Sequence, residues 1–432
     1  MKPGKYRFII ALLLFIAGAI NYMDRAAIGV VAPLLNKDFV LSPSALGATF
    51  SIFFIGYAIF AFVGGQLADR YGPRRVYTWA AITWSLFCGL TGAVTGFVQL
   101  LVVRTLFGFA EGPMNATCNR TITNWFPRGE TSRAVGVTFS GQSVGAAITA
   151  PIVGLLAINY GWRFAFVAIG LLGFVWVIAW RIVATDYPSQ NPRVTKQEIE
   201  YIESNRIVAA ISHDGDADPL RSYLIRPAIL SLALGMFAVN YVLYIFLSWL
   251  PSYLTDALHL EIKQMAFVAA IPWVCGFIGY FGGGFACDYV YHKMSNKLTA
   301  RKTTTILPLG VAAAALLLIG FTTTATGAVT LIAIAVAMLT ASVQSCWATI
   351  REVVPERRLG GVSGFIHMLS NISGIVGPTV TGIAIQYFGG FSSAFVIAAA
   401  LSVAAVVAMW AFVKRPAQAT QPLSVVQGPS VA

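Results

Sequence analysis

Charged side chains are scarce in this sequence. They make up 11% of its 432 residues, whereas hydrophobic residues make up 57% and the mean hydropathy is +0.74. Because soluble domains contain about 25% charged residues, this composition excludes an ordinary soluble protein. Apolar stretches long enough to cross a bilayer recur along the whole chain, so the sequence predicts a membrane protein.

Cysteine and histidine are rare as well. The five cysteines include no CxxC pair and the four histidines form no cluster, so neither a metal site nor a redox motif is indicated. The cysteines lie in or near predicted helices, where they are typical small core residues. The sequence also lacks a nucleophile and base in a catalytic pattern, and we therefore expect neither an enzyme nor a bound cofactor.

The apolar segments predict twelve transmembrane helices in two sets of six. They lie near residues 8–33, 45–67, 76–95, 97–119, 133–158, 162–184, 223–250, 263–286, 303–321, 327–349, 360–387 and 391–413. The first segment is too long for the apolar region of a signal peptide and has no cleavage site, so we expect it to be retained. The predicted fold class is an all-α membrane protein of two pseudo-symmetric six-helix bundles.

The net charge of +12 is distributed unevenly between the predicted loops. Lysine and arginine are concentrated in the N-terminal tail and in the loops after helices 2, 4, 8 and 10, while only Lys37, Arg163 and Lys263 lie on the other side. Cytoplasmic loops of membrane proteins have this excess. The pattern predicts a multi-pass protein with both termini in the cytoplasm, and it argues against a nucleic-acid partner.

One long polar segment separates the two sets of helices. Within it, Thr195 and Glu198 have the spacing of a capping box, which predicts a short surface helix. The acidic stretch HDGDADP that follows is typical of a solvated tether. The predicted organisation is a first bundle, a cytoplasmic linker, a second bundle and a cytoplasmic tail, over residues 1–184, 185–222, 223–413 and 414–432.

The two sets of helices repeat each other in sequence. NY at residues 21–22 recurs at 240–241, and GGQLAD at 64–69 recurs as GGFACD at 283–288, each at an offset of 219. Further matches follow in the same order, which indicates the duplication of a six-helix unit. In transporters built from such repeats, the substrate is held between the halves near the middle of the membrane.

The loop after helix 2 has a specific motif. GQLADRYGPRR, residues 65–75, resembles the loop signature of the major facilitator superfamily at every position, and the resemblance extends over the whole chain. It implies the major facilitator fold, in which this loop belongs to the cytoplasmic gate and controls conformation. We expect Gly65 to permit close helix approach, Gly72 to turn the chain, and Asp69 to cap a helix or pair with an arginine of the loop. The predicted gate residues are Gly65, Asp69, Arg70, Gly72, Arg74 and Arg75.

Five ionisable residues lie deep in the predicted helices, namely Asp24, Arg25, Arg104, Glu111 and His367. A charge at the bilayer centre costs about 2.5–3.5 kcal/mol, so the four charged groups should face a wet cavity or one another. Arg104 and Glu111 are about 10 Å apart along their helix, which is too far for a direct bond. The side chains of Asp24 and Arg25 point in directions about 100° apart around helix 1, so we expect one to face helix 4 and the other to face the cavity. The alternative of purely structural ion pairs remains open.

The chemistry of the four charged groups favours coupled transport. Burial favours the neutral form of a carboxyl and a nearby cation favours its charged form, so a carboxyl under both influences can take up and release a proton. Arginine stays charged and binds a carboxylate through two parallel hydrogen bonds. Together these groups predict the symport of protons and an organic anion.

Several stretches resemble the anion:cation symporter family within the superfamily, whose bacterial members transport sugar acids such as galactonate, glucarate and hexuronates. They include NYMDRAAIGVVAP, VRTLFGFAEGPMNATCNRTITNWFP, SGQSVG and FLSWLPSYL. The resemblance implies that Asp24 and Glu111 bind the protons and that Arg25 and Arg104 hold the anion or couple it to the acids.

By the same resemblance, Tyr57, Gln142 and Trp347 line the cavity and offer a polyol hydrogen bonds and an aromatic wall. Asn119 is a weaker candidate for this cavity. A structural alternative remains open for the first three, since both rings can simply pack in the core and the glutamine can join two helices.

Two cavity candidates of the second half depart from the family pattern. Gln344 and His367 stand where galactonate-type relatives have smaller residues or asparagine. His367 is suited to a second carboxylate or a bulkier polar group, although a hydrogen bond within its own helix is an equal alternative.

The sequence therefore predicts a proton symporter of the bacterial inner membrane that imports a sugar acid by alternating access, with protons as its coupling ions. The alternatives are an aromatic or dicarboxylic acid as substrate, anion exchange without protons, and a membrane sensor. The expected partners are the lipid bilayer and a small organic anion, and the expected state is a monomer.

Overall fold

The computed structural model describes residues 4–204, 219–322 and 324–414. Within these ranges the chain is built of helices and contains no β-strand. The helices are α1 (Tyr6–Phe39), α2 (Pro43–Tyr71), α3 (Pro73–Thr91), α4 (Phe97–Glu111), α5 (Met114–Trp125), α6 (Arg128–Tyr160), α7 (Trp162–Val183), α8 (Lys196–Ser204), α9 (Leu220–Leu224), α10 (Pro227–Ser252), α11 (Ile262–Val268), α12 (Ile271–Lys293), α13 (Lys297–Ile319), α14 (Ala325–Val353), α15 (Glu356–Tyr387) and α16 (Phe391–Phe412).

The predicted all-α membrane architecture is confirmed. In the described residues, ten helical segments are long and apolar enough to cross a membrane. The less apolar α3 and the interrupted pair α4 and α5 occupy the third and fourth transmembrane positions. Helices α1 to α7 form the first bundle and α10 to α16 form the second, while α8 and α9 belong to the connection between them.

Transmembrane helix 4 is interrupted, which the apolar pattern did not predict. The break lies at Gly112 and Pro113, between α4 and α5. Pro113 has no backbone N–H to continue the helical ladder. A Cβ on Gly112 would lie 2.6 Å from Cβ of Phe60 on α2, so only glycine fits this crossing. Beyond the break, α5 packs on α2, α3 and α6 of the first bundle.

The predicted surface helix is α8, and its N-terminus differs in part from the prediction. The Thr195 hydroxyl accepts a hydrogen bond from the Glu198 N–H at 3.3 Å, as in a capping box. The Glu198 carboxylate instead accepts from the N–H groups of Tyr6 and Arg7 at the start of α1, at 3.0 and 3.1 Å. This carboxylate is buried, so α8 docks on the first bundle. Most of the HDGDADP stretch lies outside the described residues.

The two bundles contact each other mainly toward one end of the molecule. The contacts join α1 to α10, α2 to α15, and α6 to α11 and α12. The rings of Phe50 and Trp249 are 5.3 Å apart, and the Thr379 hydroxyl lies 2.8 Å from that of Ser51. These residues lie where α1 ends and α2 begins, which we call the closed end.

The opposite end, where α1 begins and α16 ends, is called the terminal end. Asn119 on α5 and His367 on α15 are exposed between the closed-end contacts and the terminal end. Around Gly360 and Gly364 on α15 there is open space. We infer that the cavity between the bundles opens toward the terminal end.

Candidate functional site

A buried ion pair joins α1 to α4. Nη2 of Arg25 lies 2.8 Å from Oε2 of Glu111, and Nε lies 3.3 Å from the same oxygen. The side chains are 4% and 0% exposed. As the spacing along helix 4 predicts, Glu111 pairs with a residue of another helix rather than with Arg104. Arg25 is therefore the residue of the adjacent pair that faces helix 4.

Aromatic rings enclose the rest of the Arg25 guanidinium. Its central carbon lies 4.8 Å from the ring centre of Tyr57, 4.9 Å from that of Phe53 and 5.0 Å from that of Tyr22. Ring faces attract a cation and replace part of its lost hydration. The cation is thus held by one carboxylate and several ring faces.

Asp24 faces the opposite way from Arg25 and lies inside the first bundle. It is fully buried beside Cys88 of α3, within reach of the charges of Glu111 and Arg104. The Cys88 thiol lies within hydrogen-bond reach of its carboxylate. The prediction that the second member of the pair faces the open cavity is therefore wrong, because Asp24 is fully buried beside Cys88 inside the first bundle.

Arg104 shares this buried region. Its guanidinium carbon lies 5.1 Å from the ring centres of both Phe53 and Phe107, and it interacts electrostatically with Glu111 and Asp24. Its Nε has no hydrogen-bond partner in the described part of the chain. All four predicted membrane charges therefore lie together between α1, α3 and α4.

A row of polar side chains joins three helices of the first bundle. The Gln142 amide of α6 donates to the side-chain oxygen of Asn115 at 3.3 Å, and the Asn115 amide donates to the Tyr57 hydroxyl at 2.9 Å. Two predicted cavity residues are thus linked by Asn115, which the sequence analysis missed. Asn115 lies one helical turn before the predicted Asn119, and this four-residue spacing was the available signal. Asn119 itself is exposed and apart from the row.

The second bundle contributes an aromatic and polar wall. The Trp347 and His367 rings are 6.4 Å apart, and Gln344 contacts the hydroxyl of Tyr280. Trp347 and Gln344 are half-buried, whereas His367 is exposed. The structure thus brings Trp347 and His367 together and places Gln344 one turn away from Trp347 on α14.

A further pair was not found from the sequence. The Tyr244 hydroxyl donates to the side-chain oxygen of Asn371 at 3.2 Å, and the Asn371 amide donates to the backbone carbonyl of His367 at 2.8 Å. The Tyr244 ring also packs against Phe54 of the first bundle, with ring centres 4.4 Å apart. In the repeat, Tyr244 occupies the position of Arg25, which was the signal that could have identified it.

The loop motif lies at the terminal end, and its contacts differ from those expected. Asp69 approaches Arg120 of α5 at 3.4 Å, rather than an arginine of its own loop. The N-terminus of α3 is capped instead by Asp186, which accepts from the N–H of Arg74 at 2.7 Å. Gly72 turns the chain as expected, with a φ of +83°.

The other gate residues have modest contacts. Gly65 lies in ordinary contact with Ala116, whereas its neighbour Gly64 packs directly on the Pro113 ring and is the residue that permits close helix approach. Arg70 lies over the Tyr71 ring at 5.3 Å, and Arg75 is exposed.

Comparison with known proteins gives one family over nearly the whole chain. The model of the Major Facilitator Superfamily matches residues 14–350 and 290–431. The hexuronate transporter of Bacillus subtilis (strain 168) is 40% identical over 413 residues, covering 95% of this chain and 96% of that protein. The probable galactarate/D-glucarate transporter GudP of Escherichia coli (strain K12) is 31% identical, covering 91% of this chain and 90% of that protein.

Solved structures show the same fold at low sequence identity. A D-xylose-proton symporter superposes with a TM-score of 0.76 at 18% identity, covering 95% of this chain and 99% of that one. A bacterial homologue of the human lysosomal transporter Spinster, inward-facing and unoccupied, superposes with a TM-score of 0.73 at 21% identity, covering 95% of this chain and 97% of that one.

Proposed function

Because the chain belongs to the major facilitator superfamily and is a transporter rather than an enzyme, we propose that it imports a sugar acid of the hexuronate type together with protons. The 40% identity to a hexuronate transporter over nearly the full length supports this substrate class. The observation that supports coupling to protons is the buried ion pair of Arg25 and Glu111, with Asp24 on a different face of the same turn of α1.

The ion pair provides the coupling in this proposal. Removing one charge of a buried pair leaves the other uncompensated at a cost of about 3–5 kcal/mol. When Glu111 takes up a proton, the Arg25 guanidinium needs another anion, and the carboxylate of the sugar acid supplies it. Protonation and substrate binding therefore favour each other.

Asp24 is proposed to bind a second proton. Burial favours the neutral form of a carboxyl, whereas the nearby Cys88 and Arg104 favour the charged form. Two protons and one monovalent anion together move one positive charge into the cell. Uptake would then gain about 2.3 kcal/mol for each 100 mV of membrane potential.

The polar side chains of both bundles are proposed to bind the sugar hydroxyls. Tyr57, Asn115 and Gln142 offer a phenol and two amides on the side of the first bundle, close to Arg25. The second bundle offers Gln344, and Trp347 supplies a flat apolar wall for the sugar ring. Asn119 is proposed to contact the substrate during its release.

The orientation follows from the basic loops. Lysine and arginine are concentrated at the terminal end, which we therefore propose to be cytoplasmic, in the bacterial inner membrane and with both termini inside. With contacts clustered at the closed end, the structure then corresponds to an inward-facing state of an alternating-access cycle.

The test is Glu111→Gln in purified protein reconstituted into liposomes. The variant keeps its fold, as checked by thermal unfolding, loses uptake driven by a pH gradient, and retains counterflow exchange of labelled hexuronate. The control is Glu200→Gln on the exposed surface of α8, which keeps both activities. Accumulation by Glu111→Gln at the wild-type level would refute the role of Glu111 in coupling, and a wild-type protein that shows counterflow but no accumulation driven by a pH gradient would favour an anion exchanger.

A dicarboxylic acid is the second candidate substrate, because His367 is exposed beside Trp347 and can face a second carboxylate. Thermal unfolding with a panel of hexuronates, aldarates and aromatic acids separates the candidates. A ligand at 100 times its Kd stabilises the protein by about 2.7 kcal/mol. We expect hexuronates to stabilise it most, and stabilisation by aldarates alone would favour the dicarboxylate.

A further inference from the structure

Several buried polar groups inside the first bundle have no hydrogen-bond partner in the described part of the chain. The atoms are Oγ of Ser85, Nε1 of Trp84 and Oη of Tyr77, all on α3. Each of these residues is at most 1% exposed. An unpaired buried group costs about 1–3 kcal/mol, so such a number in one bundle requires a common explanation.

These groups are ordered along α3. Cys88 lies beside Asp24 near the C-terminal end of α3, and Ser85, Trp84 and Tyr77 follow toward the terminal end. Spacings of three, four and seven residues place them on neighbouring parts of one helix face. From Cys88 to Tyr77 the row spans about 16 Å of helix axis.

The packing of α7 against α3 groups two of these atoms. A Cβ built on Gly173 of α7 would collide with Oγ of Ser85 and would lie 3.8 Å from Nε1 of Trp84. Both polar atoms therefore border the place where any other residue would carry a side chain. At the start of α3, Nε of Arg74 is also without a partner, and this side chain is partly exposed.

We propose that these groups bind a file of water molecules that conducts protons between Asp24 and the terminal end, inside the first bundle and separate from the sugar-acid cavity. A buried water makes about three hydrogen bonds, and the unpartnered groups offer them at successive levels. The proton leaves the Asp24 carboxyl and passes from water to water. Each water accepts one proton and donates one, and the Asp24 carboxylate remains.

The charges around the row fit this path. Asp24 is faced by Cys88, Arg104 and Glu111, and Arg104 stabilises the carboxylate after the proton has left. Tyr77 faces Cys118 of α5. Because Asp24 turns toward α3 and not toward the second bundle, it exchanges its proton without passing through the substrate cavity.

Water in the row is tested by hydroxyl-radical footprinting of the full-length protein with oxygen-18 water. Radicals form at bound water, so Trp84 and Tyr77 are labelled despite their burial. Trp125 is the matched control, since it is fully buried and its Nε1 atom donates to the carbonyl of Thr185. We expect severalfold faster labelling of Trp84 than of this control, and equal rates would overturn the proposal.

The use of this water by protons rests on the proposed function and has its own test. The variant Tyr77→Phe/Ser85→Ala is expected to slow uptake driven by a pH gradient severalfold and to leave counterflow at the wild-type rate. The control is Thr91→Val on the same helix, whose buried hydroxyl already donates to the Phe87 carbonyl. Thermal unfolding checks the fold of both variants.

The two proposals fail separately. If wild-type protein accumulates no substrate when a pH gradient is imposed, proton symport is wrong, while labelling of Trp84 still reports the water. If wild-type protein accumulates substrate with protons but the Tyr77→Phe/Ser85→Ala variant does so at the wild-type rate, the path is wrong and symport stands.

Discussion

At the scale of single residues, the decisive feature is that Asp24 and Arg25 are adjacent in sequence and face different helices. Successive residues differ by about 100° around a helix, so one side chain meets α4 and the other meets α3. The sequence predicted both charges and their separation in direction. It did not predict that Asp24 faces the bundle interior, because which helix covers a given face depends on packing between distant segments.

Because Arg25 and Glu111 form a buried ion pair, we expect the stability of the Arg25→Ala variant to depend on pH. Arg25→Ala leaves Glu111 buried without a cation, at a cost of about 3–5 kcal/mol while the carboxylate stays charged. Burial without a cation favours the neutral carboxyl, so protonation of Glu111 makes the loss smaller at about pH 5 than at about pH 8. Thermal unfolding of the detergent-solubilised protein measures this difference.

The double variant Arg25→Ala/Glu111→Gln is the matched control for this prediction. It has neither charge, so its stability relative to wild type recovers and its pH dependence at this site disappears. A destabilisation equal to the sum of the two single variants would show that the side chains do not interact.

At the scale of helices, α2 and α4 touch through their backbones. Cβ atoms added at Gly56 or Gly108 would collide with the carbonyls of Thr105 and Phe53 on the facing helix. This contact sets the distance between Tyr57, one residue after Gly56, and Glu111, three residues after Gly108. Gly56 and Gly108 thus position Tyr57, which belongs to the polar row of the first bundle, relative to the buried Glu111.

Replacing Gly108 with alanine is therefore expected to destabilise the protein by about 1–3 kcal/mol, as overpacking of a core does. The matched control is Gly136→Ala in α6, where a Cβ would meet open space. This change is expected to be neutral or stabilising by up to about 1 kcal/mol. Thermal unfolding compares the two, and equal stability would show that α2 and α4 can separate without cost.

The sequence predicted the helices better than their interruptions. Long apolar runs predicted where the chain crosses the bilayer, and the capping-box spacing of Thr195 and Glu198 predicted α8. The break at Gly112 and Pro113 was missed because the apolar run continues through it, and its cause is Pro113, which has no backbone N–H to continue the helix. Similarly, Glu198 fits a local capping box in sequence, whereas its carboxylate binds the start of α1 in the structure.

At the scale of the whole molecule, the charges and the contacts between bundles are separated. Arg25, Glu111, Asp24 and Arg104 lie in the first bundle, while the closed-end contacts use Phe50, Ser51 and their partners in the second. Opening of the closed end therefore breaks ring contacts and a hydroxyl pair but no buried ion pair. In the proposed mechanism, substrate and protons shift the equilibrium between states through the charged groups.

A stoichiometry of two protons for each monovalent anion predicts that transport is electrogenic. Addition of hexuronate to proteoliposomes should produce an inward positive current, and a membrane potential that is negative inside should raise accumulation. The control is Glu111→Gln, which should give no sustained current. Accumulation against a pH gradient without current would mean one proton for each anion, and would exclude the second proton on Asp24.

Tyr244 stands in the second half where Arg25 stands in the first, and this pairing has an evolutionary consequence. The first copy has the buried ionisable groups, whereas the second has Tyr244, Asn371 and Trp347. Tyr244 lies near the charges of Arg25 and Glu111, so in the proposed mechanism new substrates can arise by mutation of Asn371 and Trp347 in the second copy alone. A chimera that joins this first half to the second half of an aldarate-transporting relative is therefore expected to keep the proton coupling of this chain and to take the substrate specificity of the relative.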